Sequence, residues 1–210
     1  MIPLPSRAVK PRKPARRFFL QSTLTVAREL IGMHLVHAQG GQLRRGRIVE
    51  TEAYQGPADL AAHSARGRTA RTEVMYGPPG RAYVYLIYGF WNCLNVVTAR
   101  AGVPHAVLLR GLEPLAAMSA RSFGPGLLCR ALHVDRALNG VDLLGDTLWL
   151  ERAPPRAPRP RIARATRIGV AYAGAWAARR WRFFDADSPY VSTATVALRR
   201  RRAAAPADEE

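Results

Sequence analysis

The segment "GRIVETEAYQGPADLAAHSARGR", residues 46–68, sets two glutamates, Glu50 and Glu52, two positions apart and follows them with Tyr54, Asp59 and His63. Acidic residues are scarce in this chain, with 15 Asp and Glu against 32 Lys and Arg. Side chains alternate along a strand, so Ile48, Glu50, Glu52 and Tyr54 are expected on one face. Two readings are open. Either both glutamates pair with arginines on a solvated surface, or one stands at the floor of a groove as a general base. A carboxylate so placed takes a proton from a water that attacks a sugar carbon, as in glycoside hydrolysis. Neighbouring arginines are expected to keep it ionised, which suits a base better than an acid. Behind His63 come Arg66, Arg68 and Arg71. That cluster fits phosphate contacts as well as an ordinary solvated charge run.

A second stretch, "YVYLIYGFW" (83–91), is dense in aromatic residues. Tyr83 and Tyr85 alternate onto one face, whereas Tyr88 is out of phase and abuts Gly89, as at a hairpin tip. Aromatic strand residues commonly fill cores. An exposed tip tyrosine has another use: it wedges between stacked bases and fills the gap left by an extruded nucleotide. Base–aromatic stacking is worth about 1–3 kcal/mol, comparable with the cost of unstacking one base.

The elements that carry these residues are legible in outline. "STLTVARELIG" reads as a helix capped by Ser22 or Thr23 and stopped by Gly32, with Leu24, Ala27 and Ile31 on one face. "MHLVHAQGGQLRRGRIVETEAY" reads as a hairpin around Gly-Gly, and "RAYVYLIYGFWNCLNVVTAR" as a second one folded at Tyr88-Gly89. "HAVLLRGLEP" is a strand ending near Pro114, and "GPGLLCRALHV" a loop opening a helix. "LWLERA" and "TRIGVAYA" read as late strands, and "APPRAPRP" (153–160) as a surface loop. Hairpins outnumber βαβ units, so the expected class is α+β: one domain with a curved, mostly antiparallel sheet, flanking helices and a protruding hairpin. The expected division is a flexible basic arm over 1–16, a folded domain over 17–195 and a tail over 196–210.

Composition narrows the partners. The chain has 210 residues, 48% of them hydrophobic, enough for one well-buried core. A formal net charge of +17 favours polyanions: DNA, RNA or an anionic membrane surface. Cys93 and Cys129 form no CxxC, the five histidines give no zinc spacing, and HExxH, P-loop and GxGxxG patterns are absent. No metal or cofactor is expected. No apolar run approaches the ~20 residues of a membrane helix, and the basic N-terminus lacks the apolar core of a secretory signal. The expected location is the cytoplasm, in association with the nucleoid. Neither heptads nor an apolar seam suggests dimerisation, so a monomer is expected.

Taken together, "GRIVETEAYQGPADLAAHS", "MYGPPGRAYVYLIYGFWNCLNVVT", "AVLLRGLEP", "GPGLLCRAL" and "SPYVS" resemble the alkyladenine (3-methyladenine) DNA glycosylases of the mammalian type, across roughly residues 17–192. The resemblance implies a partner, double-stranded DNA containing damaged purines, and a reaction, hydrolysis of the N-glycosidic bond after base flipping. It implies Glu52 as the base that activates water, with Arg110 beside it. Tyr54, His63 and Tyr85 would wall the flipped base, and the His63 amide would bond its edge. Asn95 would be a steric gate against a 2-amino group, and Tyr88 the wedge. Arg68, in the cluster behind His63, is a candidate DNA contact. Thr69, Met75 and Gly126 would lie in segments along the DNA backbone. The chain departs from the family pattern at Leu127, where a lysine is usual, at Ala175, commonly acidic, and at Asn92, commonly aromatic.

Lys10 and Lys13 are the only lysines. A glycosylase that also nicks the strand usually does so through an amine that forms a Schiff base. A monofunctional hydrolase leaving an abasic site is therefore expected, the N-terminal amine being the remaining route to a lyase. Three rival readings stay in view. A non-catalytic damaged-DNA-binding module is opposed by the presence of Glu52. An RNA-binding protein would not account for "ETEAY" and "YVYLIYG" together. A carbohydrate hydrolase would need Glu50 as a second, acidic carboxyl.

Overall fold

Strand β2 (Gln42–Gln55), fourteen residues long, is the axis of the molecule in the computed structural model, which describes residues 12–193. Gly40 and Gly41, both at positive φ, close a two-residue turn that folds β1 (His34–Gln39) back on its first half. Its other edge pairs with β5 (His105–Ala116), which continues two residues past Pro114. The second hairpin, β3 (Ala82–Ile87) and β4 (Trp91–Thr98), joins through β4 to β5. With β6 (Leu148–Glu151) beyond β1, the order is β3-β4-β5-β2-β1-β6, antiparallel at every pair. From residue 50 onward, β2 exchanges its partner β1 for β8 (Arg182–Asp185), which in turn pairs with β7 (Ile162–Ala165). One strand thus serves two neighbours along one edge, and the sheet curls.

Register shifts in the β2–β5 ladder between Ile48 and Thr51 change the expected facing. Ile48 lies in the main core with Leu30 and Leu112, and so does Ala53, although it is five positions, an odd number, further along the strand. Thr51 also turns to that side, where its hydroxyl donates to the Ala27 carbonyl at 2.8 Å. The bulge therefore takes Ile48 off the row it was expected to share and leaves Glu50, Glu52 and Tyr54 on the opposite face.

Helix α1 (Thr23–Glu29) starts behind Ser22, whose hydroxyl accepts from the Thr25 amide, and buries Val26 and Ala27 against the sheet. Helix α2 (Pro125–Leu132) ends at His133 in the left-handed region and buries Leu128 and Leu132 in the same core. The "TRIGVAYA" stretch is not a strand. Gly169 has φ +76, which breaks an extended run, and the Ile168 amide bonds a side chain instead of a ladder. The late strands are β6, within "LWLERA" as expected, and the two that flank this stretch, β7 and β8. Of the basic arm, the described part is docked: Lys13 bonds Asp146 and the Gly145 carbonyl, each at 2.6 Å, and Arg16 bonds Asp142 and the Pro79 carbonyl. The C-terminal tail and the arginine run 199–202 lie outside the described residues, as does Lys10.

Candidate active site

On the face of the sheet away from α1 lies a cavity of about 600 Å³. Alternate residues of three strands line it: Tyr83 and Tyr85 from β3, Cys93 and Asn95 from β4, Leu108 and Arg110 from β5. The period of two puts Val84, Leu94 and Leu109 into the core behind them. Tyr54 and His63 complete one wall, and the first turn of α2, with Gly126 and Leu127, stands opposite.

Glu52 lies one layer beneath this cavity, without solvent exposure. Its Oε2 accepts from the Tyr54 hydroxyl at 2.8 Å, and its Oε1 accepts from the Ile168 amide at 2.8 Å, with Arg110 Nε at 3.4 Å. Burial pushes its pKa above the ordinary value, against the pull of Arg110, the Ile168 amide and Tyr54. The sequence expectation that cationic neighbours decide its ionisation is corrected here, because desolvation outweighs them. Two carboxylate oxygens offer about four lone-pair sites, so these three donors leave acceptor capacity on Oε2.

Glu50 is equally buried and has one donor more. It accepts from Arg182 Nη1 at 3.0 Å, the Ser192 amide at 2.7 Å and the Ser192 hydroxyl at 2.9 Å, with Arg110 Nε at 3.4 Å. The solvated-surface reading of the two glutamates is thereby excluded. Nor is Glu50 available as the exposed acid that a carbohydrate hydrolase would need. Arg110 bridges both carboxylates, so its own position is fixed by two anions.

The cage itself is tightly coupled. His63 Nδ1 lies 3.0 Å from the Tyr83 hydroxyl, and its ring meets Tyr85 edge-on at 4.4 Å. Burial, then Arg71 and Arg66, lower its pKa to about 4, so it is a neutral imidazole near pH 7. Asn95 donates to the Tyr83 carbonyl at 3.1 Å, which fixes its amide at the cavity wall. Tyr88, 80% exposed, stands at the hairpin tip at φ 53, beside Gly89 at φ 77 and the exposed Phe90.

The remaining sequence candidates scatter. Arg68 is exposed and forms a two-pronged bond with Glu73, at 2.8 and 2.5 Å. Thr69 is exposed and its amide donates to the Thr72 hydroxyl. Met75 is buried and packs on Tyr83 inside the cavity wall. At Gly126 a Cβ would come within 2.6 Å of the Trp91 ring, so only glycine lets the base of the hairpin seat against α2. Of the departures, Leu127 lines the cavity, Ala175 is exposed, and the buried Asn92 Oδ1 has no hydrogen-bond partner among the described residues.

Sequence reasoning missed Arg167. Its guanidinium pairs with Asp59 at 2.5 and 2.9 Å, both side chains fully buried, and also donates to the Ala53 and Trp176 carbonyls. It lies over the Tyr54 ring at 4.8 Å and the Trp181 ring at 5.0 Å. The next residue, Ile168, supplies the amide on Glu52, and Ile168, Val170 and Tyr172 line the cavity. One segment therefore binds the carboxylate and builds the rim. A lone arginine before Ile-Gly carries no local signal of this, since its partner is 108 residues away. Among the described residues no group of three His, Cys, Asp or Glu is placed to hold a metal ion, and no helix is long and apolar enough to cross a membrane.

The chain is similar to known proteins over most of its length. Residues 17–189 match the family model described as methylpurine-DNA glycosylase. A protein of Anaeromyxobacter dehalogenans (strain 2CP-1) named "Putative 3-methyladenine DNA glycosylase" is 54% identical over 181 residues, covering 86% of this chain and 85% of the relative. Proteins bearing the same name from Myxococcus xanthus (50% identical; 89% of this chain, 96% of the relative) and Legionella pneumophila strain Corby (49%; 86% and 98%) are also similar.

Proposed function

The chain belongs to the methylpurine-DNA glycosylase family, and from that premise we propose that it releases alkylated and deaminated purines from DNA by hydrolysis, one flipped nucleotide at a time. Tyr88 takes the vacated place in the duplex, and the base enters the cage of Tyr54, His63 and Tyr85. Asn95 limits the width of the cage where a 2-amino group would project. The C1′–N bond breaks with its electron pair going to the purine, the sugar gains oxocarbenium character, and water bonds to C1′. Glu52 takes the proton of that water on Oε2, while Arg110 fixes the carboxylate. Alkylation at N3 or N7 puts positive charge on the base and eases its departure. Hypoxanthine and ethenoadenine need protonation at a ring nitrogen or another way to carry the leaving electron pair.

The observation that carries this reading is the geometry of Glu52: a buried carboxylate beneath an aromatic cavity, held by three donors and with acceptor capacity to spare. The reading is of a hydrolase without lyase activity. Lys13 is engaged with Asp146 and the Gly145 carbonyl, and no described lysine lines the cavity. The test is base release from duplexes carrying a single 3-methyladenine, 7-methylguanine, hypoxanthine or ethenoadenine. Glu52→Gln is expected to lose release by roughly 10²–10⁴-fold, the range of a positioned general base, while damaged-duplex binding survives. Equal release by variant and wild type would remove Glu52 from this role. A covalent adduct trapped by borohydride would overturn the monofunctional reading.

A further inference from the structure

Two walls of the cavity are backed by guanidinium groups that do not themselves line it. Arg167 lies 4.8 Å from the Tyr54 ring centroid, and Arg71 lies 5.0 Å from that of Tyr85. The two are not equivalent. Arg167 is neutralised by its bidentate pair with Asp59. Arg71 is exposed, its terminal nitrogen donates to the Leu86 carbonyl at 3.4 Å, and no carboxylate among the described residues pairs with it. Arg68, three residues earlier, does have an acidic partner in Glu73.

We propose that Arg71 is a specificity-determining residue that biases the cavity towards neutral purines, hypoxanthine and ethenoadenine in type, over cationic N-alkylated ones. The inference rests on the reading of this cavity as the one that releases a purine. A face of tyrosine attracts a cation through its ring quadrupole. A guanidinium already over the Tyr85 ring uses that attraction, and its own charge acts through the ring on any base stacked beyond it. A cationic purine at roughly 9 Å is repelled on entry. A neutral purine behaves in the opposite way. When its bond to C1′ breaks, the electron pair moves to the ring and negative charge develops there, and the fixed cation stabilises it. No co-reactant is needed: water supplies the hydroxyl at C1′, Glu52 takes the proton, and the purine anion is protonated by solvent after release. One charge therefore penalises one substrate class and assists the other.

The experiment compares kcat/KM for two duplexes of identical sequence, one with a single 7-methylguanine and one with a single hypoxanthine. Wild type, Arg71→Met and Arg71→Lys are measured at one salt concentration. Arg71→Met keeps length but not charge, and the ratio of 7-methylguanine to hypoxanthine release is expected to rise about fivefold, the scale of one screened charge at that distance. Arg71→Lys restores the charge and is expected to return the ratio towards wild type. Parallel loss on both duplexes with an unchanged ratio would mean that Arg71 serves only as a phosphate contact, and the proposal would fall. A ratio that falls in Arg71→Met would overturn it outright. Failure of wild type to release either purine would sink the glycosylase reading itself, an outcome distinct from an unmoved ratio.

Discussion

At Glu52 the proposed chemistry is set against the cost of burying an anion. Its pKa is raised by desolvation above the ordinary 4.5, so the base form is lost at a higher pH than for an exposed glutamate. Release of a cationic purine should rise with pH along a limb whose midpoint lies above 4.5. His63, with its pKa lowered to about 4, adds no inflection between pH 5 and 8. A limb centred at or below 4.5 would show that another group titrates. The same shift has a stability consequence. A folded-state pKa above the unfolded one gives a contribution that is full at low pH and lost as pH rises through the folded value. Glu52→Gln should therefore melt no lower than wild type at pH 8, with any advantage vanishing near pH 4. Asp59 is the opposite case. Asp59→Asn leaves Arg167 buried without its counter-ion, and about 3–5 kcal/mol of stability should be lost, read from urea unfolding. A loss under 1 kcal/mol, the scale of an exposed pair, would contradict the role of this pair as the anchor of Tyr54 and the Ile168 segment.

Elements built from local rules were legible in the sequence, and those set by distant partners were not. The Gly-Gly and Tyr88-Gly89 hairpins, the Ser22-capped helix and the α2 helix after Gly124 follow from turn and cap chemistry. The facing of Ile48 failed because a bulge opposite Gly111 is a property of the β2–β5 pair, not of β2 alone. Of the two late strands, "LWLERA" is found as β6, whereas "TRIGVAYA" failed because the Ile168 amide is taken by Glu52, 116 residues earlier. The candidate site was legible as residue types: the carboxylate, its tyrosine and the aromatic hairpin. Its depth was not, and depth reverses the direction of the Glu52 pKa. Packing between elements gives a further test. Gly126 has ordinary backbone, so Gly126→Ala acts only through the clash with Trp91. Overpacking of this kind costs about 1–3 kcal/mol. Trp91→Phe in the same chain, with its smaller ring, should recover part of that loss. Purely additive losses in the double variant would place the cost elsewhere.

For the whole molecule, the charge balance understates the outward field. Of the 15 acidic residues, Glu50, Glu52, Asp59, Glu113, Glu151 and Asp185 are buried, and all six are in ion pairs with Arg45, Arg47, Arg110, Arg167 or Arg182. Asp185 shares Arg47 with Glu113, so these carboxylates act within the fold and not on an approaching polyanion. Electrostatics should then supply binding without preference, and the hairpin tip should supply discrimination. Each phosphate neutralised contributes about −0.9 to the slope of log affinity against log salt. Tyr88 is uncharged and 80% exposed, so Tyr88→Ala should leave that slope unchanged for damaged and undamaged duplexes alike. Its preference for the damaged duplex should fall by about tenfold, the worth of one stacking contact. Equal weakening on both duplexes would show that the tip only adds contact area. A shallower slope would show that the substitution has moved the arginines with it, and either result would break the division of labour between charge and wedge.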